Sequence, residues 1–147
     1  MFKNISLFLL RIGMGVLFLL AGYAKIINPN WSAAGYIAGS KIFTGFFSWL
    51  LTPNILPIIN FLNVWGLTLV GLALILGIFI RLASFFGITL MVFYYLPIYP
   101  SAHGLIDEHI IYSLVFLIFM AFGGSDIFSL RNWVQTRLHP AWHKWVK

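Results

Sequence analysis

The stretch ILPIINFLNVWGLTLVGLALILG, from Ile55 to Gly77, decides the fold. Its 23 residues carry no charge. A helix needs about 20 predominantly apolar residues to cross a hydrocarbon core of roughly 30 Å, and this one has them. Pro57 stands in the first turn, where a missing N–H is tolerated. Gly66, Val70, Ala73 and Gly77 recur at helical spacing and form a small-residue stripe suited to close helix contact. Arg81 then marks an aqueous turn.

Outward from that segment the pattern repeats. Upstream, Ile5 to Tyr23 is a second apolar run, stopped by Asn28-Pro29-Asn30. Lys3 and Arg11 with Ala21-Gly22-Tyr23-Ala24 give it the outline of a leader peptide, but it is read as a transmembrane helix. Downstream, Ala83 to Leu96 is a third run, which Pro97 and Pro100 are expected to end. A fourth span depends on its start. Ile110 to Phe122 is only 13 residues, whereas a start at His103 gives 20 and puts Asp107 about 6 Å inside the helix. Residues 31 to 52 are Gly-interrupted and contain Lys41, poor material for a span. An interfacial helix around Ile42 to Leu51 fits better, with Trp49 at headgroup level.

The expectation is an all-α membrane protein, a four-transmembrane-helix bundle with an extracytoplasmic interfacial helix between helices 1 and 2. The membrane domain covers 1–127. Residues 128–147 form a basic, aromatic tail with Arg131, Trp133, Arg137, Trp142, Lys144, Trp145 and Lys147, read as a cytoplasmic surface anchor.

Composition agrees. Of 147 residues, 61% are hydrophobic and 8% charged, where roughly a quarter are charged in a soluble domain. The net charge is +6, from nine Lys or Arg and three acids. Outside the tail the bases are scattered, which speaks against nucleic acid and for topology and contact with anionic headgroups. Lys3, Arg81 and the tail cations share one side and Lys25 and Lys41 the other, so both termini are expected in the cytoplasm of a cell-membrane protein. The chain has no cysteine, which removes disulfides, thiolate metal sites and thiol redox chemistry.

Few residues can carry chemistry, and ionisable groups in a membrane chain are site candidates by default. Arg11, Gly15, Phe18, Gly22 and Lys25 fall on one face of the first helix. Arg11 either snorkels to the surface or turns into the bundle, onto an internal acceptor or a ligand head. Lys25 could pair with Asp107 or Glu108 across the bundle mouth. Asn60 and Asn63, one turn apart, either hydrogen-bond across helices or orient a polar head such as a quinone carbonyl. The densest polar group is His103, Asp107, Glu108, His109 and Tyr112. Adjacent carboxylates beside imidazoles suit a proton relay, but the same acids also suit a helix N-terminus. No tight metal-ligand pattern is present, and no metal is expected. Tyr94, Tyr95 and Tyr99 either line a pocket or form an aromatic belt. No phosphate loop, nucleophile elbow or transmembrane histidine pair for haem is found.

Arg11-Ile-Gly-Met-Gly15 and Leu20-Ala-Gly-Tyr-Ala-Lys25, with the turn running Gly71-Leu-Ala-Leu-Ile-Leu-Gly77 through Arg81-Leu-Ala-Ser84, resemble the DoxX/DoxD-like membrane family. The resemblance implies a compact four-helix membrane protein. It also implies a tie to quinone-linked redox complexes, since one member type is the membrane subunit of thiosulfate:quinone oxidoreductase. An acidic residue common in the family's second helix is absent; Asn63 and Trp65 occupy that region.

Three functions follow. The first is a quinone-linked subunit of a larger complex, with Arg11, Asn60, Asn63 and Tyr112 around the head and Asp107, Glu108 and His109 passing protons. No cofactor other than a quinone is implied, and electrons would come from a partner subunit. The second is a non-catalytic assembly subunit packing through its glycines, and the third a small-molecule transporter. The sequence leaves open whether the chain itself is an enzyme.

Overall fold

A computed structural model describes residues 2–101, 104–123 and 129–130. Six helices follow in order: α1 (Phe2–Ile26), α2 (Ala34–Ala38), α3 (Thr44–Leu50), α4 (Leu56–Leu76), α5 (Ile80–Ile98) and α6 (Glu108–Phe122). Three of them, α1, α4 and α5, are long and apolar enough to cross a membrane. Their 25, 21 and 19 residues correspond to about 38, 32 and 28 Å at helical rise.

The fourth apolar helix is shorter than expected. α6 has 15 residues, about 22 Å, and does not reach back to His103, which lies outside the described residues. Asp107 is the reason. Its backbone is extended (φ −128°, ψ −175°), and its side chain accepts from the N–H groups of His109 and Ile110. A carboxylate that satisfies the first free N–H groups of a helix fixes where the helix starts. Asp107 therefore stands at the helix mouth and not a turn inside it.

Two smaller corrections have equally local causes. α5 runs through Pro97 to Ile98, two residues beyond the expected end at Leu96; proline forfeits one hydrogen bond without forbidding helical φ. The segment between α1 and α4 forms two short helices instead of one. They bury Ala33, Ile37, Phe47 and Leu50 against Trp31, Ile55, Ile59 and Leu96, so this segment folds down over the ends of α4 and α5. The tail from 131 onward, most of the expected 128–147 region, lies outside the described residues.

Glycines set how closely the helices approach. A Cβ on Gly71 of α4 would stand 2.5 Å from the Leu19 backbone nitrogen and 2.8 Å from the Gly15 carbonyl oxygen of α1. Gly22 meets Thr68 in the same seam, and Gly87 of α5 receives the Phe116 ring of α6. Of the stripe expected from sequence, Gly66 faces Leu90, Val70 joins the core, and Gly77 closes α4 in a left-handed conformation (φ +70°). That φ favours glycine, which has no Cβ to clash.

The main core comprises Met14, Phe18, Leu67, Val70, Leu74, Ile80, Met91, Phe116 and Phe119. Outside it, Leu9, Leu20, Leu69, Phe85, Phe86, Leu114 and Leu117 are exposed, while Arg11, Thr68, Ser84 and Asp107 are buried. Large apolar side chains outward and polar ones inward is the arrangement lipid requires and water penalises. The Thr68 and Ser84 hydroxyls donate to the carbonyls of Val64 and Ile80 one turn back, so neither is left unpaired in apolar surroundings.

Candidate functional site

At the end of the bundle where α1 and α5 finish and α4 begins, the chain leaves a cavity of about 740 Å³, within the range of ligand sites, about 300–1,000 Å³. One wall is α4 from Ile59 to Val70 and the other is α5 from Phe86 to Tyr94, with Ala33, Ile37, Phe47 and Leu50 as the roof. The α4 wall is about 16 Å long at helical rise. Almost all of the lining is apolar. Phe61, Leu62, Trp65 and Leu69 on α4, and Phe86 and Phe93 on α5, line the cavity while staying exposed on the bundle surface. It therefore opens sideways, between two helices long enough to span a membrane, toward acyl chains.

The polar groups gather at the roofed end. The Lys25 ammonium donates to Asn63 Oδ1 at 2.6 Å and to the Tyr94 hydroxyl. The Tyr94 hydroxyl donates in turn to Asn63 Oδ1 at 2.8 Å. The Lys25 nitrogen also lies 4.4 Å from the centre of the Trp31 ring, a favourable place for a cation. An ammonium can only donate, so the amide oxygen of Asn63 is the atom turned toward it. Asn63 lines the cavity, and its amide NH2 has no hydrogen bond to a protein acceptor among the described residues. What this end offers a ligand is donors.

Asn60 does something different from its neighbour. Its Oδ1 accepts from the Ala33 N–H at 2.9 Å, and its Nδ2 donates to Ser32 Oγ at 3.2 Å. It pins the start of the roof to α4, holding α2 over the cavity. Tyr36 of α2 donates its hydroxyl to the Tyr94 carbonyl and packs edge-on against the Tyr94 ring. Burial first, then the nearby Tyr94, Asp107 and Glu108, push the Tyr36 phenol up to about 12, so it stays a protonated donor.

Lys25 and Tyr94 also border a second cavity of about 220 Å³, on their other side, with His109 and Tyr112 in its wall. The His109 ring stacks on Tyr94 at 5.6 Å and 17°, and its Nδ1 lies 2.9 Å from Asp107 Oδ2. Burial acts to raise the Asp107 carboxyl. Hydrogen bonds from the His109 ring and the Ile110 and His109 N–H groups, with the charge of His109, outweigh it and hold the carboxyl below its ordinary value. One ligand atom each from Asp107, Glu108 and His109 falls within 4.8 Å of the others, but Glu108 is exposed and Asp107 is engaged as a helix cap.

Sequence reading therefore placed its candidates unevenly. Asn63, His109 and Tyr112 converge on the two cavities. Asn60 supports the roof. The expected pairing of Lys25 with Asp107 or Glu108 is not formed: its partners are Asn63, Tyr94 and Trp31. Arg11 is fully buried but sits at the opposite end, its guanidinium beside Gly77 and over the Phe8 ring, about 21 Å along α1 from Lys25. It touches neither cavity. Tyr94, the residue shared by every part of the site, looked like one of three belt tyrosines, and no local pattern distinguishes it.

The comparisons with known proteins agree with this architecture. No curated protein and no solved structure gives a significant match to the chain. The family model of DoxX matches residues 6–100, which include α1 to α5 from Ser6 onward and the larger cavity. With three membrane-length apolar helices and well over half of its length matched, this chain is a multi-pass membrane protein that belongs to the DoxX family.

Proposed function

We propose that the chain is the quinone-binding membrane subunit of a larger redox complex, with the head of the quinone held at Lys25, Asn63 and Tyr94. The observation that carries this reading is the cavity: apolar, open toward lipid, and closed at one end by the Lys25 ammonium and the Asn63 amide, which can donate to a ligand. A lipid-soluble molecule with a carbonyl head fits that description. The Asn63 NH2 and the remaining Lys25 N–H offer two hydrogen bonds to carbonyl oxygen, and Trp31 and Tyr36 offer ring faces. The isoprenoid tail leaves between Phe61, Leu69 and Phe86. A bound quinone supplies two-electron chemistry that takes up two protons on reduction.

The residues on the other side of Tyr94 supply the protons in this reading. His109 and Tyr112 border the smaller cavity with Lys25, and Asp107 holds the His109 ring in place. Glu108 stands exposed at the mouth, where it exchanges with water. Electrons come from a partner subunit. α6 acts as a short fourth span beside α5. Lys3 and Arg81 lie at the Arg11 end, and this distribution of positive charge supports a reading in which that end faces the cytoplasm and the quinone head sits near the outer surface.

Purification from membranes in mild detergent, followed by solvent extraction and quantitation of quinone, tests the reading. About one quinone per chain is expected, falling at least roughly fivefold in Asn63→Leu, the loss of about one hydrogen bond. Wild-type quinone content in Asn63→Leu, or no more quinone than in an unrelated membrane protein of similar size, overturns it.

A further inference from the structure

We infer that the same cavity binds single-chain amphiphiles with a carboxylate head, such as free fatty acids, and that Lys25 selects them over neutral amphiphiles of the same chain length. The inference does not depend on the quinone reading. It rests on the charge of Lys25. Every partner of its ammonium is neutral: an amide oxygen, a phenol and two aromatic faces. The one ion pair among the described residues joins His109 to Asp107 and leaves Lys25 out. A cation beside a large apolar space is costly unless a counter-charge meets it.

The cavity supplies the room for that counter-charge and restricts its form. The polar end holds one cation and the donor-only Asn63 NH2, so it matches one compact head with two acceptor oxygens and a single negative charge. A carboxylate accepts from Lys25 and Asn63 at once, and such charge-assisted bonds are about twice as strong as neutral ones. Below the head, the apolar walls run about 16 Å along α4 and open sideways, which fits one flexible chain entering from the bilayer. A two-chain phospholipid has a bulkier head, for which the end roofed by Ala33, Ile37, Phe47 and Leu50 is a poorer match.

Trp31 and Trp65 line the cavity and report occupancy. A dibromo fatty acid and the matching dibromo alcohol, titrated at about pH 7 where a carboxylic acid and an ammonium are both ionised, quench them on binding. The carboxylate is expected to bind at least about tenfold tighter than the alcohol, the worth of a hydrogen bond to a charged group. That preference falls below roughly threefold in Lys25→Gln and survives in Lys41→Gln, an exposed lysine outside the cavity. Equal binding of acid and alcohol to the wild-type protein overturns the inference, as does an undiminished preference in Lys25→Gln. If Lys25→Gln does not fold, the wild-type comparison alone decides. A protein that retains quinone but does not prefer the acid loses this inference and keeps the proposed function; one that prefers the acid but carries no quinone does the reverse.

Discussion

Each end of the bundle takes one cation from the same face of α1, and the two ends treat it in opposite ways. Arg11 is completely buried where α4 finishes. The chain returns there: Ser129 donates to the Gly77 carbonyl and the Leu130 N–H to that of Leu76. The guanidinium lies beside Gly77 at the negative pole of the α4 dipole, and it borders neither cavity. Lys25, four turns along, borders two cavities. The same residue class on the same face is structural at one end and ligand-facing at the other. The difference lies in what the opposing helices leave unfilled.

Substitutions can break that comparison. Arg11→Ala removes a buried cation and opens a void under the end of α4, and we expect a loss of about 3 kcal/mol in stability, read from the unfolding midpoint in detergent. Quinone content per folded chain should not change. Lys25→Gln should show the reverse, with a stability change of less than about 1 kcal/mol and loss of bound quinone. Equal stability losses in the two variants end the distinction between the ends.

A second contrast separates the tight α1–α4 seam from the α4–α5 gap. At Gly71 a Cβ meets backbone, the Leu19 nitrogen at 2.5 Å, and backbone cannot step aside. Gly71→Val should cost about 2 kcal/mol by overpacking. At Gly66 a Cβ meets only the end of the Leu90 side chain, 3.2 Å away, which can rotate. Gly66→Ala should be neutral or stabilising by up to about 1 kcal/mol, because alanine favours the helix. A larger loss in Gly66→Ala than in Gly71→Val would mean the gap is closed in the membrane.

These contrasts also mark what was legible in the sequence. The three long helices were, because about twenty predominantly apolar residues in a row have few fates other than a lipid-crossing helix. Arg11, Gly15, Phe18, Gly22 and Lys25 share a face as their spacing requires. The glycine stripe of α4 was half right: Gly66 and Gly77 have distinct local duties, and Gly71, one step off the stripe, is the one that meets a neighbouring backbone. Gly15, Gly22, Gly71 and Gly87 are all used in contacts inside the chain. The site was legible residue by residue but not as a site. Lys25, Asn63 and Tyr94 are separated by 38 and 31 positions in the chain, and only the packing of three helices brings them together. The acidic pair misled because Asp107 reads equally well as a relay and as a cap.

Asp107 offers the smallest effect and the sharpest separation of those two roles. Its carboxyl is held below its ordinary value. A carboxyl depressed in the folded state stabilises the protein above its unfolded value, and that contribution is lost as pH falls through the lower folded value. Wild-type stability should therefore decline below about pH 4. Asn caps helices about as well as Asp but does not ionise. Asp107→Asn should keep most of the stability at neutral pH, within about 1 kcal/mol, and lose the part of the acid decline that comes from this residue. Asp107→Ala should lose about 1 kcal/mol at neutral pH as well. If Asp107→Asn matches wild type in stability and quinone content yet slows quinone reduction in the assembled complex, the carboxylate orients or charges His109 for proton transfer. If reduction is unchanged, Asp107 is a helix cap alone, and the proton path begins at His109.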